Sequence, residues 1–193
     1  MAHGLITLLD DQRDREVKDI WRELKSACGP GWLVQRVPFP HFSWLVCGQY
    51  DETLALAAMK RIAARAKPIE VKVTALGVFT GERPVLYASI TRTAELSTLH
   101  SLIWQEMRPA LTNPMAYYEP PNWMPHITLA EGDLTQDTLA CAMRALAGRN
   151  FYWQFRADTL VWAHDTGNAH DTHELRHKVV MADGDSDGDS HSN

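Results

Sequence analysis

Two short stretches of this 193-residue chain place a hydroxyl two positions after an imidazole: Pro40-His41-Phe42-Ser43-Trp44 and Pro125-His126-Ile127-Thr128-Leu129. Side chains alternate faces along an extended backbone. His41 and Ser43 then share one face, with Phe42 and Trp44 behind them. His126 and Thr128 share another, with Ile127 and Leu129 behind. Histidine titrates near pH 6.5, so it can give or take a proton around neutrality. Cleavage of a phosphodiester needs a base to activate the attacking oxygen and an acid to protonate the leaving one. The two hydroxyls can donate to the non-bridging oxygens, where charge builds. Such a site needs neither metal nor cofactor. A single His-x-Ser/Thr on a strand is a common accident. Two of them, each after a proline and 85 residues apart, point to one shared site.

The surrounding pattern supplies elements to carry these strands. Residues 6–9 read as a strand. Asp10 or Asp11 can cap a helix over 12–27, where Val17, Ile20, Trp21 and Leu24 recur at helical spacing. Gly29-Pro30-Gly31 is a turn, and 32–37 reads as a strand before the first motif at 41–47. Asp51 caps a helix to about residue 66, with Leu54, Ala57, Ala58 and Ile62 on one face. Residues 69–80 and 84–91 form a hairpin, and Thr93 caps a helix to about 111. A proline- and aromatic-rich loop leads to the second motif at 126–130, followed by a helix over 134–147. A last hairpin is expected from 151–163 and 174–181. A Pro-His strand, a helix and a hairpin thus occur twice, which suggests two similar α+β lobes facing one another.

The segment Met124-Pro125-His126-Ile127-Thr128-Leu129-Ala130 resembles the second motif of the two-histidine phosphoesterase superfamily. That group includes RNA 2′,3′-cyclic phosphodiesterases and 2′-5′ RNA ligase-like proteins. The first segment is a looser match, with Ser43 where threonine is commoner. The resemblance runs to about Met181. It implies a bilobal, pseudo-twofold α+β fold: two antiparallel sheets with flanking helices and a central cleft, as a single domain over 1–182. It also implies that His41 and His126 are the catalytic pair and that Ser43 and Thr128 bind phosphate. The substrate it implies is a 2′,3′-cyclic phosphate or a 2′-5′ linkage of RNA or a small nucleotide. Other nucleotides remain open: a cyclic ADP-ribose phosphate, 2′-5′ oligoadenylate or a cyclic oligonucleotide. So does a non-catalytic binder of RNA ends.

Several further signals bear on function. His173-Glu174-Leu175-Arg176-His177 matches the zinc-peptidase pattern, but that chemistry needs a helix. Here His173, Leu175 and His177 alternate with Glu174, Arg176 and Lys178, as a strand would. The Asp/Gly/Ser-rich segment 183–193 imitates the start of a calcium loop, yet the chain ends before the twelfth position. It is expected to be a disordered acidic tail. Tyr117, Tyr118 and Trp123 precede the second motif and either stack on a base or pin their loop to the core. Arg36, Trp162 and His164 are further cleft candidates.

The net charge is −5, and four aspartates lie in the tail, so the body is near neutral. That suits a nucleotide or short RNA end better than general nucleic-acid binding. No run of 18 apolar residues predicts a membrane span. No leader is visible at the N-terminus. The odd, widely spaced cysteines (Cys28, Cys47, Cys141) read as buried free thiols. A cytoplasmic monomer with no obligate protein partner is the expectation.

Overall fold

The computed structural model describes residues 2–167 and 173–182. The expected disorder of 183–193 therefore lies outside the described residues. The chain runs β1 (His3–Leu8), α1 (Asp11–Cys28), α2 (Trp32–Arg36), β2 (His41–Tyr50), α3 (Glu52–Arg65), β3 (Ile69–Phe79) and β4 (Val85–Ile90). It continues α4 (Ala94–Met107), β5 (Leu111–Pro114), β6 (His126–Ala130), α5 (Gln136–Leu146), β7 (Trp153–Ala157), β8 (Thr159–Asp165) and β9 (His173–Val180). Caps set the helix starts. The side chains of Asp10, Asp51 and Thr93 accept from the backbone N–H three residues on.

All strand pairs are antiparallel, and the order is β7-β3-β4-β6-β2-β1-β8-β9, with β5 beside β2. The motif strands β2 and β6 are the centre. On either side lies a half of matching composition, β1-β8-β9 and β4-β3-β7. The sequence repeats as β1-α1-β2-α3 and β4-α4-β6-α5, so the fold is bilobal and pseudo-twofold. The two lobes are hydrogen-bonded into one sheet, because Phe42 pairs with Ile127 across the midline. Strands outside the two repeats complete the halves, and β8–β9, which follow the second repeat, cross to the first. The β3–β4 hairpin joins β6, while β8–β9 joins β1, so neither lobe is closed without the other.

Helix α1 buries Val17, Ile20, Trp21 and Leu24, and α4 buries Leu96, Leu99, Ile103 and Met107. On α3 the buried stripe is Ala55, Ala58, Met59 and Ile62, while Leu54 is half exposed. Among the described residues no helix is long and apolar enough to cross a membrane.

Four local expectations need correction. Residues 32–37 are not a strand but the helix α2. The Asp133 carboxylate accepts from the backbone N–H of Gly31 at 2.8 Å and Trp32 at 2.9 Å, meeting donors that open this helix. The partner lies a hundred residues away, so nothing local announces it. The strand expected over 151–163 is two strands, β7 and β8, that part at Asp158 and join opposite halves. Pro109 ends α4 early in a 3-10 turn at Arg108–Ala110. Finally, Cys28 and Cys141 are joined in a disulfide between α1 and α5, and only Cys47 is the buried free thiol expected of all three. Disulfides persist in oxidising surroundings. Cysteine usage therefore gives no support to a reducing compartment.

The bridge closes a loop of 113 residues. Such a cross-link stabilises by about 2–4 kcal/mol, or ~10 °C in melting temperature for a chain of this size. The Cys28→Ser/Cys141→Ser variant should melt lower by that order. Thiol titration in denaturant without reductant should count one thiol, and three after reduction. Three thiols without reductant would contradict the bridge.

Candidate active site

Alternation on β2 and β6 works as the residue types demand. Phe42, Trp44, Ile127 and Leu129 are buried, while His41, Ser43, His126 and Thr128 are half-buried and line a cavity of about 270 Å3. The antiparallel pairing of Phe42 with Ile127 fixes the rest. Continued by one residue either way, that register sets His41 across from Thr128 and Ser43 across from His126. Each imidazole thus faces the other motif's hydroxyl. A register shift opposite Leu5 and Ile6 makes Trp44 and Leu45 both buried and returns Val46 to the cavity.

The two histidines are held in the same way. His41 Nδ1 lies 2.9 Å from the Phe39 carbonyl, and His126 Nδ1 lies 2.7 Å from the Met124 carbonyl. A carbonyl can only accept, so in both rings Nδ1 carries hydrogen and Nε2 is left for chemistry. Rings flank each imidazole: Phe39 at 5.5 Å from His41, and Phe79 at 4.9 Å and Tyr87 at 5.2 Å from His126. Gly77 permits the last contact, since a Cβ there would meet the Tyr87 ring at 2.4 Å. The hydroxyl-bearing residues are anchored through their backbones. Trp123 Nε1 donates to the Ser43 carbonyl at 3.0 Å, and Trp21 Nε1 donates to the Thr128 carbonyl at 3.2 Å.

Burial pushes His41 down to about 4, with the Phe39 carbonyl opposing and charge on His126 and His173 adding. Burial also lowers His126, against the Met124 carbonyl. Tyr118 lines the cavity, and burial pushes its phenol up to about 12, with the Ser43 hydroxyl opposing and Glu131 adding. It is therefore a neutral O–H in the cavity. Glu131 lies in the same cavity, and burial raises its carboxyl.

The family model described as the 2′-5′ RNA ligase superfamily matches residues 9–168. The chain belongs to the 2′-5′ RNA ligase superfamily. Solved structures agree on the superfamily fold at low identity. TT0787 of Thermus thermophilus is 16% identical with a TM-score of 0.65, over 96% of this chain and 100% of that one. E. coli LigT in complex with ATP is 14% identical with a TM-score of 0.59, over 93% and 97%. A search of curated protein sequences found no match.

The cavity of this superfamily member gathers His41, Ser43, His126, Thr128 and Tyr118 from the residues singled out in the sequence. The others lie elsewhere. Trp123 is fully buried, stacked at 3.8 Å on the His100 ring and at 5.5 Å on Trp44, so it pins its loop and has no face for a base. Tyr117 is 81% exposed and is not among the residues lining the cavity. Trp162 is buried against Tyr50, and His164 pairs with the Tyr50 hydroxyl at 2.8 Å, outside the cavity. Arg36 does not line it either; its guanidinium lies 5.9 Å from the Trp32 ring.

His173 and His177 separate. β9 is a strand, and its register shift opposite Leu160–Trp162 breaks the expected alternation. His173 lines the cavity while His177 bonds Glu52 at 2.6 Å. Sequence reasoning missed Trp32, Glu131 and His173 as cavity residues. Glu131 lies three residues after Thr128, and His173 had stood out only within the zinc-peptidase pattern.

The folded state holds His41 and His126 below their ordinary value, as it does the core residue His100, which burial pushes down to about 4. Between pH 6.5 and about 4 the unfolded chain binds more protons, so stability falls as pH falls through that window. Urea midpoints from pH 7 to 4.5 should drop, and His41→Ala should show a shallower slope than wild type. Equal slopes would mean that His41 is not held neutral by its surroundings.

Proposed function

We propose that this chain is a phosphoesterase that opens 2′,3′-cyclic phosphates or cleaves 2′-5′ phosphodiester linkages of RNA or small nucleotides. The observation that carries the reading is the pair of carbonyl-locked imidazoles whose Nε2 atoms serve one cavity with two hydroxyls. Membership of the superfamily supports it. So does E. coli LigT, solved in complex with phosphate and with 3′-AMP.

His41 is the member driven to about 4, and charge on His126 contributes to that depression. One proton shared by the pair therefore rests on His126. In hydrolysis, His41 Nε2 takes a proton from water as the water oxygen bonds to phosphorus. The bond from phosphorus to the leaving ribose oxygen breaks, and His126 Nε2 gives that oxygen its proton. Ser43, Thr128 and the neutral Tyr118 hydroxyl donate to the non-bridging oxygens. The products are a phosphomonoester and a free hydroxyl. Exchange with solvent resets both rings, and the scheme uses no metal.

A panel of 2′,3′-cyclic nucleotides, 2′-5′ dinucleotides and cyclic dinucleotides, read by product mass and phosphorus NMR, tests the reading. His41→Ala and His126→Ala should each lower turnover by 10²–10⁴ with the fold kept. Ser43→Ala and Thr128→Ala should cost roughly ten- to a hundredfold. The kcat/KM optimum should lie on the acid side of pH 6.5, and EDTA should change nothing. A folded histidine variant that keeps more than about a tenth of wild-type activity would contradict the mechanism.

A further inference from the structure

Two acidic residues follow the second motif, and their surroundings differ. One oxygen of the Asp133 carboxylate, Oδ2, accepts from the N–H groups of both Gly31 and Trp32. Glu131 lines the cavity with His126, Thr128 and Tyr118, and no hydrogen bond or ion pair to another described residue holds its carboxylate. A desolvated carboxylate is costly unless something donates to it. The cost is met when a ligand brings the donors.

The wall next to Glu131 is apolar and aromatic. Trp21, Trp32 and Leu33 line it. The Trp32 ring lies against Gly132, where a Cβ would meet it at 2.5 Å and where φ is +83°. Any side chain at 132 would displace the ring. The chain from Thr128 to Glu131 spans about 10 Å of extended backbone. That leaves room for a ribose between a phosphate at Thr128 and a planar group at Glu131. A carboxylate offers two acceptor oxygens side by side and no donor. Guanine presents two adjacent donors, N1–H and the N2 amino group. Adenine, cytosine and uracil present donor and acceptor side by side on the same edge.

We propose that Glu131 and the Trp32–Leu33 wall form a nucleobase pocket that selects guanine, making Glu131 the residue that sets base specificity. This rests on the phosphodiesterase reading for the position of the ribose and phosphate. A charge-assisted pair of this kind discriminates by roughly ten- to a hundredfold.

Calorimetric binding of guanosine 3′-monophosphate and adenosine 3′-monophosphate tests the pocket without turnover. Wild type should favour the guanosine ligand by about that factor. Glu131→Gln replaces one acceptor with a donor and should bring the ratio toward one. A ratio within one variant is insensitive to how much of it is folded. The kcat/KM values for the guanosine and adenosine 2′,3′-cyclic phosphates should show the same ratio. Equal affinities in wild type, no binding of either ligand, or an undiminished ratio in Glu131→Gln would overturn the proposal. A clear guanosine preference in binding with neither cyclic phosphate turned over would instead sink the phosphodiesterase reading and leave the pocket standing.

Discussion

β2 and β6 are joined through one residue pair, Phe42 with Ile127, both fully buried. That contact carries the midline of the sheet and places both motifs. It orients His41, Ser43, His126 and Thr128 together, because each is one residue from the pair and alternation turns all four to the same side. The surrounding anchors then remove the remaining freedom. Backbone carbonyls fix the rings through Nδ1, and indole N–H groups from Trp21 and Trp123 fix the carbonyls of Thr128 and Ser43. These constraints come from both halves of the chain, so neither lobe could build the site alone. The Thr7 hydroxyl continues the network, donating to the Thr159 carbonyl at 2.7 Å and accepting from Trp44 Nε1 at 2.8 Å.

The same burial that rigidifies the site sets its protonation. Imidazoles in a partly desolvated cleft resist charge, and two of them close together resist charge jointly. A bound phosphate monoanion works the other way, favouring an imidazolium beside it. On the proposed mechanism, substrate would thereby favour the proton that the reaction needs, while burial alone lowers both rings.

Much of the fold was legible because it is written in short-range signals. The Asp10, Asp51 and Thr93 caps, the 3.6-residue stripe on α1 and the Pro-His starts of β2 and β6 each act within a few residues. What was illegible depends on distant partners. α2 exists where a strand was expected because Asp133 reaches it, and the Cys28–Cys141 bridge depends on α1 packing against α5. The bulges at Trp44–Leu45 and near His177 shift alternation without any glycine to mark them. The site followed the same division. That the four motif residues share one cavity could be read from strand geometry, whereas Trp123, open in the sequence between stacking on a base and pinning its loop, packs on His100 through tertiary contacts the sequence does not show. Trp32 and Glu131 are brought together by Gly132, whose role is visible only once the ring lies on it.

The division of labour between the histidines is the centre of this account, and a substrate whose leaving group needs no proton tests it most directly. Rates on bis(p-nitrophenyl) phosphate and on a nucleoside 2′,3′-cyclic phosphate would be compared for wild type, His41→Ala and His126→Ala. With His41 as base and His126 as acid, His126→Ala should lose two or more decades on the cyclic phosphate but less than about one on the nitrophenyl ester. His41→Ala should lose heavily on both. Equal losses for His126→Ala on the two substrates, or the reverse pattern between the variants, would contradict the assignment.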